Sequence, residues 1–177
     1  LGPVLRAIAK HTGMVRGTIT LLNREQGELV IVAAHGLSSK QLERGRYKVG
    51  EGVVGKVAQT GRPMLIPRIS EDPLFLNRTA ARQINKEDIA YLCVPIKMEN
   101  SVLGTLSADR LFAEDIDLEE DLRLMSIIAS MIARAVRLRQ RSQEERDRLL
   151  SENTRLQNEL RRKFRPANII GKSKAMQ

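Results

Sequence analysis

The spacing of apolar residues changes several times along the chain, and each change marks a predicted element. Apolar positions at helical spacing between residues 4 and 9 predict a short opening helix that ends at Gly13. Two pairs of β-rich runs, each joined by a polar turn, predict two β-hairpins. These runs are 18–22 with 28–34, and 90–97 with 102–109. We therefore expect an α+β fold in which helices flank an antiparallel sheet.

The region between the two hairpins has a different pattern. Glycines recur through 49–61 and predict a helix entered by a tight turn, and a short strand is expected at 64–66. The following segment, 68–88, is mainly polar. Its apolar residues Phe75 and Leu76 are expected to be buried and to hold this segment against the sheet.

A long helix is predicted after the second hairpin. Asp117 with Glu120 matches a capping box, and no Gly or Pro follows until Pro166. At 1.5 Å per residue the helix would reach about 70 Å, too long to lie on a core of this size. A heptad frame therefore predicts a parallel homodimer. Its expected interface residues are Met125, Ile128, Ile132, Ala135, Leu149, Asn153, Leu156 and Leu160.

The net charge of +9 in 177 residues raises the question of nucleic-acid binding. Residues 134–165 hold 11 basic and 5 acidic side chains, whereas residues 1–133 are nearly neutral. A solvated charged helix explains this excess more simply than direct DNA contact does. No apolar run is long enough to span a membrane, and the lone Cys93 excludes an internal disulfide and weakly indicates a reducing, cytoplasmic location.

Two glycine motifs suggest phosphate binding, but their contexts do not support it. Residues 50–55 fit G-x-G-x-x-G, yet the preceding strands are expected to be antiparallel, unlike those of a dinucleotide fold. Either backbone amides at this helix start hold an anion, or the glycines only build a tight turn. Gly171-Lys172-Ser173 lacks the upstream glycine of a P-loop, because Pro166 stands there.

Catalytic and metal chemistry have few candidate residues. His11, His35 and Cys93 fall in three different elements without ligand spacing, and Cys93 lies in an apolar run typical of a buried thiol. We therefore expect no metal, no cofactor and no enzymatic activity in this chain.

Four stretches together resemble the GAF domain family. They are 47–63, 69–73, 94–97 and 102–106. More narrowly, 68–78 with 94–97 is similar to the NifA-type regulators of nitrogen fixation, which are sigma-54-dependent transcriptional activators. Residues 168–177 resemble the opening of the AAA+ domain in those activators.

The resemblance implies a domain order and a set of partners. It implies a GAF sensor domain at 1–134, a coiled-coil signalling helix at 135–164 and the start of an AAA+ sigma-54 interaction domain at 165–177. The implied partners are a second copy of the chain, the AAA+ domain of the same chain, and an inhibitory regulatory protein. DNA and sigma-54 would be contacted only through domains outside this sequence.

The resemblance also implies a small-molecule effector, 2-oxoglutarate or a similar small carboxylate. Three arginines of the polar segment, Arg68, Arg78 and Arg82, could supply a guanidinium for it. Phe75 would line the site, and the amides near Val53 could hold a second anionic group. The alternative is a dimerisation and partner-docking module whose pocket is unoccupied. A GAF-type methionine sulfoxide reductase would need more cysteines than Cys93.

Overall fold

The computed structural model describes residues 1–80, 89–111 and 116–163. The chain divides into two compact units, Leu1–Ala135 and the part from Val136 onward. The elements in chain order are α1 (Gly2–Thr12), β1 (Met14–Asn23), β2 (Glu28–His35), α2 (Ser39–Arg44), β3 (Arg46–Lys48), α3 (Gly52–Thr60), β4 (Met64–Ile66), β5 (Ile89–Met98), β6 (Ser101–Leu111) and α4 (Leu118–Lys163).

A six-stranded antiparallel sheet, in the order β3-β2-β1-β6-β5-β4, forms the centre of the first unit. Both predicted hairpins are confirmed. In the β1–β2 turn, the side chain of Asn23 accepts hydrogen bonds from the amides of Glu25 and Gln26, and Gly27 takes a left-handed φ of 66°. The three-residue edge strand β3 is not predicted from the sequence, because so short a run has no measurable periodicity.

Alternation along β6 shows how the two faces of the sheet differ. Leu106 and Ala108 line the face covered by α1 and by the start of α4, where Met125 packs beside them. Ser107 and Asp109 point to the other face and are also buried. The sheet thus has an apolar face toward α1 and α4, and a face with buried polar groups toward α3. This arrangement confirms the α+β fold with flanking helices.

The start of α4 is tied to the end of β6. The predicted cap is present, since Asp117 Oδ1 accepts a hydrogen bond of 3.0 Å from the amide of Glu120. Arg110 Nη1 lies 2.7 Å from Asp121 Oδ2 and also donates to the carbonyl oxygen of Thr12 in α1. Desolvation raises the pKa of the Asp121 carboxyl, and the nearby Arg110 guanidinium partly offsets this effect. One arginine therefore joins β6, α1 and α4.

The heptad prediction for α4 needs a correction in the first unit. Met125 and Ile132 were expected to face a partner chain, but they are 0% and 3% exposed. Both belong to a helix face that is buried within the unit itself, because the apolar face of the sheet must be covered. Ile128 is half-buried and Ala135 is exposed.

In the second unit, the remaining predicted interface residues lie on a helix surface open to solvent. These residues are Leu149, Asn153, Leu156 and Leu160. Across the described residues, none of the helices combines the length and apolarity that a membrane crossing requires.

Candidate functional site

Two adjoining cavities lie between the polar face of the sheet and the segments that cover it. Tyr47 of β3 and Tyr91 of β5 line both cavities. Each cavity has a volume of about 20 Å³, room for roughly one water molecule. The free space inside the site is therefore small.

The first cavity has a polar floor built by β1 and β6. Thr18 Oγ1 and Ser107 Oγ are 2.6 Å apart, and Arg16 Nη1 lies 3.5 Å from Asp109 Oδ2. The Asp109 side chain is 2% exposed and that of Arg16 is 16% exposed. The ion pair is longer than a charge-assisted hydrogen bond, usually 2.7 to 2.9 Å, so the fork of donors on Arg16 is not saturated by it.

Thr79 supplies a further polar group to the first cavity. The residue is 4% exposed, and among the described residues its hydroxyl has no hydrogen-bond partner. A buried hydroxyl without a partner is costly, so such groups usually meet a water molecule or a ligand. Thr79 thus adds a hydroxyl to the polar groups that line this cavity.

The second cavity is formed mainly by apolar groups, and it includes two of the predicted site residues. Val53 of α3 and Phe75 line it together with Leu74. The Phe75 ring meets that of Tyr91 edge-on, with centroids 5.0 Å apart and an angle of 70° between the planes. This contact confirms Phe75 as a residue that holds the polar segment against the sheet. Leu76, in contrast, is 43% exposed, which corrects its expected burial.

The glycines before α3 are explained by close backbone approach. A Cβ atom at Gly55 would collide with the carbonyl oxygen of Lys48, and Gly50 donates its amide to Gly55 O at 2.9 Å. A carboxylate already lies at this helix start, since Glu51 accepts from the amide of Lys48 and pairs with Arg78. Both contacts, the backbone hydrogen bond first, lower the pKa of the Glu51 carboxyl. The geometry is that of the tight turn, the simpler of the two interpretations.

Of the three arginines singled out from the sequence, Arg68 and Arg78 do not line either cavity. Arg68 pairs with Glu71 at 3.4 Å, and Arg78 pairs with Glu51; the two arginine side chains are 48% and 42% exposed. Arg82 lies outside the described residues. Their roles in ligand binding therefore stay predictions without support from the cavity geometry.

Sequence reasoning missed Arg16, Asp109 and Thr79. Arg16 and Asp109 are 93 positions apart in sequence and meet because β1 pairs with β6, where Arg16 is the direct partner of Asp109. One signal was available: charges of opposite sign interrupt two otherwise apolar and hydroxyl-bearing strands at positions that face the same side. A charge in a strand buried on both faces indicates a partner or a site.

The residues around the cavities include few side chains suited to catalysis. Cys93 is buried on β5, and burial raises the pKa of its thiol to about 12, only partly offset by a hydrogen bond with Thr105. Within the described ranges there is no group of three or more His, Cys, Asp or Glu side chains that could hold a metal ion. The arrangement places a guanidinium and hydroxyl groups around a space of about 20 Å³.

Comparison with protein families shows which family the chain belongs to. The family model for the GAF domain matches residues 1–136, most of the chain. The chain belongs to the GAF family. The cavities therefore lie in a GAF domain, between its sheet and the segments that follow α2 and β4.

Proteins of nitrogen fixation are similar to this GAF domain and to the helix after it. The nitrogen fixation protein VnfA of Azotobacter vinelandii is 40% identical over 98% of this chain and 34% of its own length. A Nif-specific regulatory protein of Herbaspirillum seropedicae is 37% identical over 100% of this chain and 33% of its own length. The chain thus spans about a third of the length of these curated relatives.

A solved structure agrees with the fold. The crystal structure of the A. aeolicus nlh2 GAF domain, described as being in an inactive state, has a TM-score of 0.69 and 26% identity. The match covers 78% of this chain and 83% of that chain.

Proposed function

We propose that this chain is the sensor region of a sigma-54-dependent activator of nitrogen-fixation genes. In this proposal the GAF domain binds a small anionic metabolite, and α4 carries the signal to an adjoining AAA+ ATPase within a parallel homodimer. The chain itself is regulatory and acts in the cytoplasm. The similarity to VnfA and to a Nif-specific regulatory protein over nearly the whole chain supports this assignment.

The observation that carries ligand binding is the polar floor of the first cavity. The guanidinium of Arg16 lines the same cavity as the hydroxyl of Thr79, which has no hydrogen-bond partner within the part of the chain that the structure describes. A carboxylate bound there would accept from Arg16 bidentately, and a hydroxyl or carbonyl group of the same molecule would pair with Thr79. A diacid such as 2-oxoglutarate has this chemistry. Arg16, rather than Arg68 or Arg78, is then the anchoring arginine.

Isothermal titration with 2-oxoglutarate, succinate and glutarate tests this function. We expect heat and an upward shift of Tm with one or more diacids, because a ligand selective for the folded state stabilises it. Arg16→Gln with Asp109→Asn, which avoids leaving a buried carboxylate alone, should remove the response. The controls Arg68→Ala and Arg78→Ala should keep it, since both side chains are exposed.

A docking module with an unoccupied pocket is the second candidate, and it is favoured by the small volume of each polar cavity, about 20 Å³. If no diacid gives heat or a thermal shift, ligand sensing is contradicted and the docking function is preferred. Binding that survives loss of Arg16 but fails with Arg68→Ala or Arg78→Ala would return the site to the polar segment.

A further inference from the structure

The floor of the first cavity carries one charge of each sign. Arg16 of β1 and Asp109 of β6 are direct partners in the sheet, and Arg16 Nη1 lies 3.5 Å from Asp109 Oδ2. The two side chains are 16% and 2% exposed. Within the part of the chain that the structure describes, they are the two charged residues that line this cavity. The described lining of the first cavity therefore has no net charge.

A buried carboxylate beside the anchoring guanidinium limits which anions the cavity can accept. A ligand carboxylate placed against Arg16 also comes close to Asp109, and two like charges repel strongly where water is excluded. A ligand that offers only acceptor groups there, such as a 2-oxo acid, leaves this repulsion uncompensated. A ligand with a cationic donor next to its carboxylate places that donor on Asp109 and offsets the repulsion.

The head group of an α-amino acid has this pair of charges on one carbon atom. Its carboxylate accepts hydrogen bonds from the guanidinium fork of Arg16, and its ammonium donates to Asp109. Because the two protein groups are only 3.5 Å apart, both are within reach of so compact a head group. Each charge of the ligand then meets an opposite charge of the protein.

The second cavity offers a place for the side chain of such a ligand. It adjoins the first cavity, since Tyr47 and Tyr91 line both. Its described lining consists mainly of apolar groups such as Val53 and Phe75, together with the amide of Asn77. A charged subsite for the head group therefore continues into an uncharged subsite.

The size of the two cavities sets a condition on binding. Each is about 20 Å³, so a ligand larger than a water molecule enters only if the covering segment 74–79 moves away from the sheet. The edge-on contact of Phe75 with Tyr91 and the partly exposed pair of Arg78 with Glu51 hold this segment. Loop contacts of this kind open at a lower free energy than paired strands. Binding should therefore change the hydrogen exchange of this segment.

We propose that the first cavity binds an α-amino acid, with its carboxylate on Arg16 and its ammonium on Asp109. Asp109 is then the residue that selects an amino acid over the corresponding 2-oxo acid. This inference rests on the proposed function, in which the same site binds a small carboxylate, and it names the class of that carboxylate.

Isothermal titration of the wild-type 177-residue chain with L-glutamate and 2-oxoglutarate tests this selectivity. The two ligands are a matched pair, because they differ only in the amino or oxo group at one carbon atom. We expect L-glutamate to bind at least about tenfold more tightly. L-Glutamine should bind no more weakly than L-glutamate, because the second cavity has an uncharged described lining.

Asp109→Asn should reverse the preference. The amide no longer pairs with an ammonium, so L-glutamate should bind at least about tenfold more weakly, and 2-oxoglutarate should bind more tightly because the repelling charge is gone. Glu28→Gln is the control, since it removes the acid of an ion pair with Arg46 that lies outside both cavities. Thermal melts without ligand check that each variant folds, and the wild-type comparison decides the selectivity without any variant.

Hydrogen exchange locates the site independently of affinity. Saturating L-glutamate should slow exchange in peptides that cover 74–79 and leave the β1–β2 turn unchanged. Heat without this protection would move the binding site elsewhere and overturn the inference.

The remaining outcomes separate the inference from the proposed function. Equal affinities, or a wild-type preference for 2-oxoglutarate, would overturn the amino-acid assignment and leave the binding of a small carboxylate intact. A folded Asp109→Asn variant with unchanged selectivity would remove Asp109 from its role. A wild-type chain that binds none of the three ligands would contradict the proposed ligand sensing itself.

Discussion

Neighbouring residues of α4 provide the sharpest test of which face packs on the sheet. Ile132 is 3% exposed and Met131 is 65% exposed. Ile132→Ala removes three buried carbon atoms and leaves a cavity, for which about 2 to 5 kcal/mol of unfolding free energy is typical. Taking about 3 kcal/mol, and about 2 to 4 °C per kcal/mol for a chain of this size, Tm should fall by roughly 6 to 12 °C.

Met131→Ala should behave differently. An exposed methionine contributes little to the stability of a single protomer, so the change should stay within about 0.5 kcal/mol when the chain is monomeric. Urea denaturation separates the two variants: Ile132→Ala should lower the midpoint clearly, whereas Met131→Ala should leave it nearly unchanged.

A simple heptad frame predicts the reverse, with Ile132 at the dimer interface and Met131 on its flank. The packing described here is refuted if Ile132→Ala costs less than about 1 kcal/mol and abolishes dimers. It is equally refuted if Met131→Ala destabilises the dilute chain as much as Ile132→Ala does.

Three further outcomes are expected. Gly104→Ala should lower Tm strongly in thermal denaturation, because its Cβ would collide with the carbonyl oxygen of Thr20 in the paired central strand; an unchanged Tm would contradict this close approach. Burial in the folded state raises the pKa of the Cys93 thiol to about 12. The neutral thiol therefore contributes fully to the free energy of unfolding below about pH 8.5, the usual pKa of a free cysteine. This contribution declines as the pH rises further, by up to about 1.4 kcal/mol per pH unit. Urea titrations from pH 7 to 10 should show this slope, and Cys93→Ala should lack it. Phe75→Ala removes the edge-on contact with Tyr91 and should speed proteolysis within residues 68–80 while the hairpins stay protected; unchanged cleavage would show that other contacts hold the segment.

How well each element could be predicted depends on how far apart in sequence its interacting residues are. The hairpin of β1 and β2 and the cap at Asp117 depend on residues close in sequence, and both were predictable. Burial of Met125 depends on which face of α4 covers the sheet, a tertiary choice that a heptad frame does not contain. The helical spacing of apolar residues alone was compatible with either face of α4 packing on the sheet.

The candidate site shows the same division. Val53 and Phe75 could be placed near the cavity because the glycine-rich turn and an apolar residue within the polar segment 68–88 are local signals. Arg16 and Asp109 depend on the register of two strands far apart in sequence, so neither could be paired in advance. From the sequence alone, Arg78 could have served as a ligand-binding residue, but in the structure its side chain pairs with Glu51 in the turn before α3.

Two consecutive residues of β6 form ion pairs on opposite sides of the sheet. Asp109 faces the polar cavity and Arg110 holds Asp121 of α4, and a single peptide bond joins the two residues. Successive side chains of a strand point to opposite faces of the sheet, so these two adjacent residues act on opposite sides of the domain. The register of β6 in the sheet therefore positions the polar cavity and the start of the long helix together.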